Sequence, residues 1–322
     1  MATFDECFAT LPALSEKPRD LDSYWKKQIT KLKKVPLDVE AKRKVSKRIL
    51  TETQMFLSFQ SIGRVQLTAQ LMAPKKFRKK PPVVIIFPDY HEKDPPIINA
   101  LTQAGIAQVV LNLRGHDRLN QPVINENGEE EEIKSLGYFS ENLVDKDEFY
   151  LRNLFLDAFR TLEVTRLRRE IDASRIGVWG RGVGAAMALF VTKYMQRTGS
   201  LLLEHPSFAH LALTQNLSKS RYAQEINQFI KTHRKQSTKV KENLRYFDGL
   251  YFSPAVKAPT AMIMNLKNSL AVPQGGFAMF HHIPAEKEMH LFTSDDEKTL
   301  REQAKKTVTT SSEFFKKSLI KS

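Results

Sequence analysis

Short runs of consecutive apolar residues alternate with longer segments in which apolar residues recur at helical spacing. The runs VVIIF (83–87), VVLNL (109–113) and RIGVW (175–179) are typical of strands buried on both faces. The segments between them, about 95–105 and 147–169, have helical periodicity. The order strand, helix, strand, helix, strand predicts an α/β fold with a mostly parallel central sheet and helices on both faces.

Further strands are predicted on both sides of this unit. The segment 53–74 is interpreted as two strands that meet near Gly63 and form an antiparallel start of the sheet. Three more strands are predicted at 199–206, 260–266 and 288–293, followed by a C-terminal helix.

Two regions lie outside this strand and helix order. The first 50 residues are predicted as helix and loop, with apolar residues from Leu21 to Leu32 at helical spacing. The segment from about 207 to 252 is too long for a simple crossover between strands, so it predicts a helical insertion over the strand ends. We therefore expect one domain over 1–322, with an N-terminal helical extension over 1–50 and this insertion.

The composition is that of an ordinary globular protein, with 322 residues, 41% hydrophobic residues, 13 glycines and 15 prolines. The single cysteine, Cys7, cannot form an internal disulfide and is interpreted as an incidental thiol. The first ten residues carry acidic side chains where a signal peptide would be basic and then apolar. No apolar run reaches the roughly 18 residues that a membrane-spanning helix needs. These features predict a cytoplasmic protein.

Basic residues exceed acidic ones, and 50 Lys and Arg against 36 Asp and Glu give a formal net charge of +14. The excess is concentrated at 25–48 and 75–80, and each stretch holds one aromatic residue, too few for stacking on single-stranded nucleic acid. Most such charge forms solvated surface. The alternative is weak binding of polyanions or of an anionic membrane face, which would weaken steeply as salt rises.

A glycine turn in the stretch RIGVWGRGVGAAMALF (175–190) joins the third parallel strand to an alanine-rich helix. In a nucleophile elbow of the pattern G-x-S-x-G, the central position carries the attacking serine. Here Gly182 stands between Gly180 and Gly184, so the turn presents no reactive side chain. Gly180, Gly182 and Ala185 also satisfy the dinucleotide pattern G-x-G-x-x-A, but that motif normally follows the first strand, and we expect no cofactor.

Four other stretches carry spaced motifs: LPALSEKPRDLDSYW (11–25), FPDYH (87–91), LNLRGHD (111–117) and LRYFDGLYFSPAVKAPTAMI (244–263). Together with the glycine turn they resemble the acetyl xylan esterase and cephalosporin C deacetylase family of the α/β-hydrolase fold. FPDYH stands where that family has a His-Gly-Tyr oxyanion loop. The resemblance implies removal of acetyl groups from small acetylated sugars and related esters by a Ser, His and Asp triad, in a cytoplasmic, commonly hexameric protein.

The resemblance places the family's triad on side chains that cannot perform its chemistry. The serine falls on Gly182, the acid on Asn268 and the histidine at about Asp296. Glycine cannot form an acyl-enzyme, and a neutral amide cannot stabilise an imidazolium. We therefore expect no intact catalytic triad.

The oxyanion loop is also altered, because Pro88 and Asp89 replace its His-Gly pair. The backbone N–H groups of Tyr90 and Val183 are the expected remnant of the oxyanion hole, since a backbone group donates whatever its side chain. Asp89 would oppose the negative charge that develops there during acyl transfer.

Arg181 is the other charged residue expected beside the vacated serine position. Its guanidinium could bind a carboxylate or phosphate, or pair with Asp89 or Asp296 and fill a disused pocket. The candidate pocket is therefore composed of Asp89, Arg181 and Asp296.

Two functions follow from these substitutions. The first is a noncatalytic homologue that binds a small carbohydrate or ester, or acts as a scaffold or regulator, as a homo-oligomer. The alternative is an altered carboxylic-ester hydrolase that uses a water held between Tyr90, Arg181 and Asp296. The alternative requires an Asp296 pKa near neutrality beside an open pocket.

Histidines offer no metal-binding pattern. His281 and His282 are adjacent on a predicted helix and face different directions, and His290 lies on the following strand. Chelation from a helix favours histidines four residues apart, so we expect no metal site.

Overall fold

The computed structural model describes residues 17–44, 52–75, 79–90, 92, 97–115, 123–124, 130–131, 137–195, 197–294 and 296–320. Cys7, His91 of FPDYH and residues 116–117 of LNLRGHD lie outside these ranges. None of the helices formed by the described residues is long and apolar enough to cross a membrane.

Within the described ranges, nine strands form one sheet and two short strands pair separately. The strands are β1 (Glu40–Lys44), β2 (Glu52–Gln60), β3 (Gln66–Pro74), β4 (Val83–Phe87), β5 (Ala107–Leu111), β6 (Val123–Ile124), β7 (Glu130–Glu131), β8 (Ile176–Arg181), β9 (Ser200–Glu204), β10 (Thr260–Asn265) and β11 (Lys287–Phe292). The order in the sheet is β1-β2-β3-β5-β4-β8-β9-β10-β11. Pairings from β1 to β5 are antiparallel, and those from β5 to β11 are parallel.

Helices connect and cover these strands. They are α1 (Leu21–Lys33), α2 (Asn99–Gln103), α3 (Tyr150–Arg166), α4 (Gly184–Tyr194), α5 (Leu211–Leu217), α6 (Arg221–Thr232), α7 (Ser237–Leu244), α8 (Pro273–His282) and α9 (Glu297–Leu319). The predicted α/β class is confirmed. Three of the helices, α5 to α7, fall between β9 and β10, within the segment predicted as an insertion.

The start of the sheet agrees with the sequence pattern in part. Strands β2 and β3 form the predicted hairpin, and Gly63 between them has a φ of 74° that suits glycine. Strand β1 was not predicted. Residues 40–43 are all exposed, and Ala41 is the one uncharged residue among them. The strand pairs at the edge of the sheet and has no alternation of apolar and polar residues from which it could be predicted.

Central strand β4 shows why both faces of the sheet are covered. Val83, Ile85 and Phe87 pack on the side of α1, α3 and α4, whereas Val84 and Ile86 pack against Phe315 and Leu319 of α9 and Leu101 of α2. A parallel strand buried on both faces is expected to be apolar throughout.

Trp25 of α1 connects this helix to the insertion by packing and by one hydrogen bond. Its ring is fully buried and lies 4.5 Å from the ring of Phe190 in α4. The indole N–H donates to the carbonyl of Tyr246 at 3.0 Å, just after α7. Burial of an aromatic ring with its one donor satisfied stabilises this junction.

Strand register brings three strand ends to one place. Phe87 of β4 pairs with Gly180 of β8, and Arg181 of β8 pairs with Glu204 of β9. Residues that follow these pairs therefore meet at the carboxyl edge of the sheet, where ligands bind in open α/β folds.

The tight passage from β8 into α4 should depend on glycine at 184. A Cβ there would overlap the backbone carbonyls of Phe87 and Pro88, which cannot move aside as a flexible side chain can. We expect Gly184→Ala to lower the free energy of unfolding by about 3 kcal/mol in urea titrations. As a control, Gly63→Ala has open space around its Cβ and should cost about 1 kcal/mol from its left-handed backbone alone. Equal losses for the two variants would contradict this packing.

Candidate functional site

The turn between β8 and α4 has the shape of a nucleophile elbow. Gly182 lies at its tip with a φ of 53°, in the left-handed region. A Cβ on Gly180 would overlap the carbonyl oxygen of Gly184, so the outer glycines are required by the close approach of strand and helix. The sharp turn is retained although its central residue has no side chain.

The carboxylate of Asp89 occupies the anion site beside this turn. Its Oδ1 accepts the backbone N–H of Tyr90 at 2.8 Å and the backbone N–H of Val183 at 2.9 Å. These are the two donors that the sequence predicts for the oxyanion hole, and they converge on one oxygen atom, as donors to a developing oxyanion must. Two converging N–H groups are thus present at this turn, and the protein's own side chain accepts both.

The same carboxylate also occupies the space of a side chain at position 182. A Cβ added to Gly182 would overlap Cγ and both oxygens of Asp89. Glycine at 182 and aspartate at 89 are therefore spatially coupled, because any larger residue at 182 would have to displace the Asp89 side chain.

Asp89 experiences opposing electrostatic effects. Desolvation raises the pKa of its carboxyl above the usual range, while the two N–H donors and the nearby Arg181 act to lower it. Many protein atoms surround Asp89, but the residue is exposed where it lines a cavity.

Arg181 pairs with different partners from those predicted. Its Nε donates to Glu204 at 3.0 Å, and its Nη1 forms an ion pair with Glu92. Glu204 also accepts the indole N–H of Trp179 at 3.0 Å. The prediction of a pair with Asp89 or Asp296 is wrong, since the parallel register places Glu204 directly beside Arg181.

Asn268 faces the cavity, and its side chain organises its own loop. The Oδ1 atom accepts the backbone N–H of Leu270 at 2.9 Å and of Ala271 at 3.1 Å. An aspartate would accept the same two bonds, so the loop does not itself exclude an acid at this position.

Asp296 is a helix cap. Its side chain accepts the backbone N–H of Thr299 at 2.9 Å at the start of α9, and it also accepts the hydroxyl of Ser294. These bonds lower the pKa of Asp296 to about 2. Asp296 is not in the cavity wall, so its placement in the candidate pocket is corrected. A carboxylate with this pKa is too weak a base for the water-activating alternative, which therefore loses its proposed base.

A cavity of about 550 Å³ opens over the elbow. Its wall combines the ends of β4, β8 and β9, the start of α6 and the Asn268 loop. The lining residues are Asp89, Tyr90, Glu92, Arg181, Gly182, Glu204, His205, Ser207, Lys219, Ser220, Arg221, Tyr222, Gln224, Asn268, Leu270 and Ala271. Such a volume suits a small organic ligand.

The segment after β9 carries backbone strain. His205, Phe208 and His210 have φ values of 44°, 58° and 50°, all left-handed and none of them glycine. Ser207 Oγ and His205 Nδ1 are buried and have no hydrogen-bond partner in the described part of the chain. Desolvation lowers the pKa of His205, which favours its neutral form. Strain and unpaired polar atoms together are typical of binding segments.

Several residues of this site were missed by sequence reasoning. Glu92 and Glu204 neutralise Arg181, and Glu225 of α6 accepts the hydroxyl of Tyr90 at 3.2 Å and the backbone N–H of Phe139 at 3.0 Å. The signal for Glu204 was a charged residue at the end of the apolar strand SLLLE. Glu225 had no sequence signal, because its contacts are with Tyr90 and Phe139, which are far from it along the chain. No group of three or more potential metal ligands occurs among the residues that the structure describes.

Comparison with known families agrees with this geometry. The family model for Acetyl xylan esterase (AXE1) matches residues 3–314. The chain belongs to the acetyl xylan esterase family. Acetyl esterase Axe7A of Xylanibacter ruminicola is 21% identical to it over 291 residues, which are 86% of this chain, and the chain spans 63% of that relative's length.

Solved structures of family members share the fold. An acetyl xylan esterase from Paenibacillus sp. R4 has a TM-score of 0.82 with 21% identity, covering 96% of this chain and 99% of that one. Acetyl xylan esterase 1 from Thermoanaerobacterium sp. JW/SL YS485 has a TM-score of 0.78 with 21% identity, covering 95% and 98%. The predicted α/β-hydrolase fold is confirmed, and the chain is an acetyl xylan esterase-like homologue.

Removing the Asp89 side chain should leave an empty anion site. In Asp89→Gly the N–H groups of Tyr90 and Val183 lose their shared acceptor, so we expect the free energy of unfolding to fall by about 1–3 kcal/mol. Formate, a small carboxylate, should bind in the hole and restore part of the thermal stability. Wild type is the control and should show no such shift with formate. A formate-insensitive variant as stable as wild type would contradict the assignment of these bonds.

Arg181 should be important for stability, because its removal leaves Glu204 only 7% exposed and without its cation. We expect Arg181→Met to cost about 3 kcal/mol in urea titrations followed by tryptophan fluorescence. The double variant Arg181→Met, Glu204→Gln should be more stable than the single variant, because the unpaired charge is gone. A single variant as stable as wild type would show that the pair contributes nothing.

Proposed function

We propose that this protein is a noncatalytic member of its family that binds a small ligand in the cavity over the elbow. The proposal has two parts. The first is that serine-dependent ester hydrolysis is absent, and the second is that the cavity is used for binding.

The observation that carries the first part is the position of the Asp89 carboxylate. An ester bound for acyl transfer needs a nucleophile at 182 and an empty oxyanion hole for its carbonyl oxygen. Gly182 supplies no nucleophile, and Asp89 Oδ1 holds both donors of the hole. A fixed carboxylate there would also repel the negative charge of a tetrahedral intermediate.

The second part is supported by the cavity. It has a volume of about 550 Å³, and charged and polar side chains are among the residues that line it. A small carbohydrate or ester is the ligand class that the family relationship favours, and a homo-oligomer is the assembly that it favours. Both remain proposals.

Restoring the serine tests the proposal when the two N–H groups are freed as well. We expect no hydrolysis of p-nitrophenyl acetate above buffer by wild type. The variant Asp89→Gly, Gly182→Ser should release p-nitrophenol above buffer, because a hydroxyl at 182 and an unoccupied pair of N–H donors are then combined. A histidine at 296 is left out, because Asp296 is not in the cavity wall.

The matched control is Gly182→Ser alone, which keeps Asp89. It should release less p-nitrophenol than the double variant, because the Asp89 carboxylate remains beside the elbow and competes for the two N–H donors. Turnover by wild type that Asp89→Asn or Arg181→Met abolishes would contradict the proposal and indicate a serine-independent esterase.

A further inference from the structure

The floor of the cavity is acidic although the protein as a whole is basic. Asp89, Glu92 and Glu204 line it, and the only cation among them in the described chain is Arg181, which already pairs with Glu92 and Glu204. Asp89 Oδ1 is used by two N–H groups, whereas Oδ2 has no hydrogen bond among the described residues. A ligand group with N–H donors and positive charge would complement this oxygen.

The rim of the cavity is basic. Lys219 is exposed there and forms no ion pair within the described ranges, in contrast to Arg221, which pairs with Glu225 at 3.0 Å. The rim also contains the start of α6, a 12-residue helix capped by the Ser220 side chain. The N-terminus of such a helix and an unpaired lysine both favour an anionic group.

We propose that the cavity binds a small zwitterion, with a primary ammonium at Asp89 on the floor and a carboxylate at Lys219 on the rim. An α-amino acid, a longer amino acid or a short peptide has this chemistry. The inference rests on the proposed function in one respect, because it takes Asp89 to remain in the oxyanion hole. The zwitterion takes the place of the carbohydrate or ester that the family relationship favours, because an ester carbonyl needs the two N–H groups that Asp89 occupies, whereas an ammonium donates to Asp89 itself.

Isothermal titration calorimetry with matched compounds tests the inference. Glycine, 3-aminopropanoate and 4-aminobutanoate vary the separation of the two charges, while butylamine and butanoate each carry one charge. We expect at least one zwitterion to bind at least about tenfold more tightly than both single-charge compounds, since each end adds an ionic hydrogen bond. Saturable binding of none of the three zwitterions would overturn the inference.

Two variants assign the ends of the ligand. Asp89→Asn keeps an oxygen acceptor for Tyr90 and Val183 but removes the charge, and it should weaken zwitterion binding about tenfold or more. Lys219→Met should weaken it by a similar factor, whereas Lys257→Met, an exposed lysine outside the cavity, should not change it. Binding that Asp89→Asn leaves unchanged would overturn the assignment of the ammonium to Asp89.

Ester hydrolysis measured on the same preparations separates this inference from the proposed function. Zwitterion binding without hydrolysis supports both. No binding and no hydrolysis overturns only the inference, whereas hydrolysis by wild type overturns the proposed function on its own.

Discussion

The shared acceptor at Asp89 is the contact on which the site depends. It joins the loop after β4 to the first residues of α4, and it satisfies two backbone donors that would otherwise face the cavity. A carboxylate at a helix N-terminus is also favoured by the helix dipole. A Cβ at 182 would overlap the Asp89 carboxylate, so glycine at 182 and this position of Asp89 are one structural arrangement.

The ion pairs beside this contact join Arg181 to Glu92 and Glu204. Arg181, beside the elbow, thus offsets part of the negative charge of the floor without an ion pair to Asp89. Desolvation still raises the pKa of Glu92, although Arg181 acts to lower it. The result is a cavity whose lining carries charged side chains of both signs.

Much of the fold was predictable because its parallel strands are continuous apolar runs and its helices are amphipathic. Strand β1 was not, because an exposed edge strand of charged residues has no apolar pattern. In the site, the resemblance located Gly182, Tyr90 and Asn268, which line one cavity, and Val183, whose N–H donates to Asp89. The predicted partners of Arg181 and the predicted role of Asp296 were wrong. Strand register decides the first and helix capping the second, and neither can be read from a motif.

The position of the Asp89 carboxylate is the central claim, and a high-resolution crystal structure of the unliganded wild-type protein tests it most directly. We expect Oδ1 of Asp89 within hydrogen-bond distance of both the Tyr90 and the Val183 nitrogens, roughly 2.7–3.2 Å. An Asp89 side chain turned into solvent, with a water molecule bound by the two N–H groups, would contradict the account. The two N–H groups would then be free to bind an oxygen atom of a ligand.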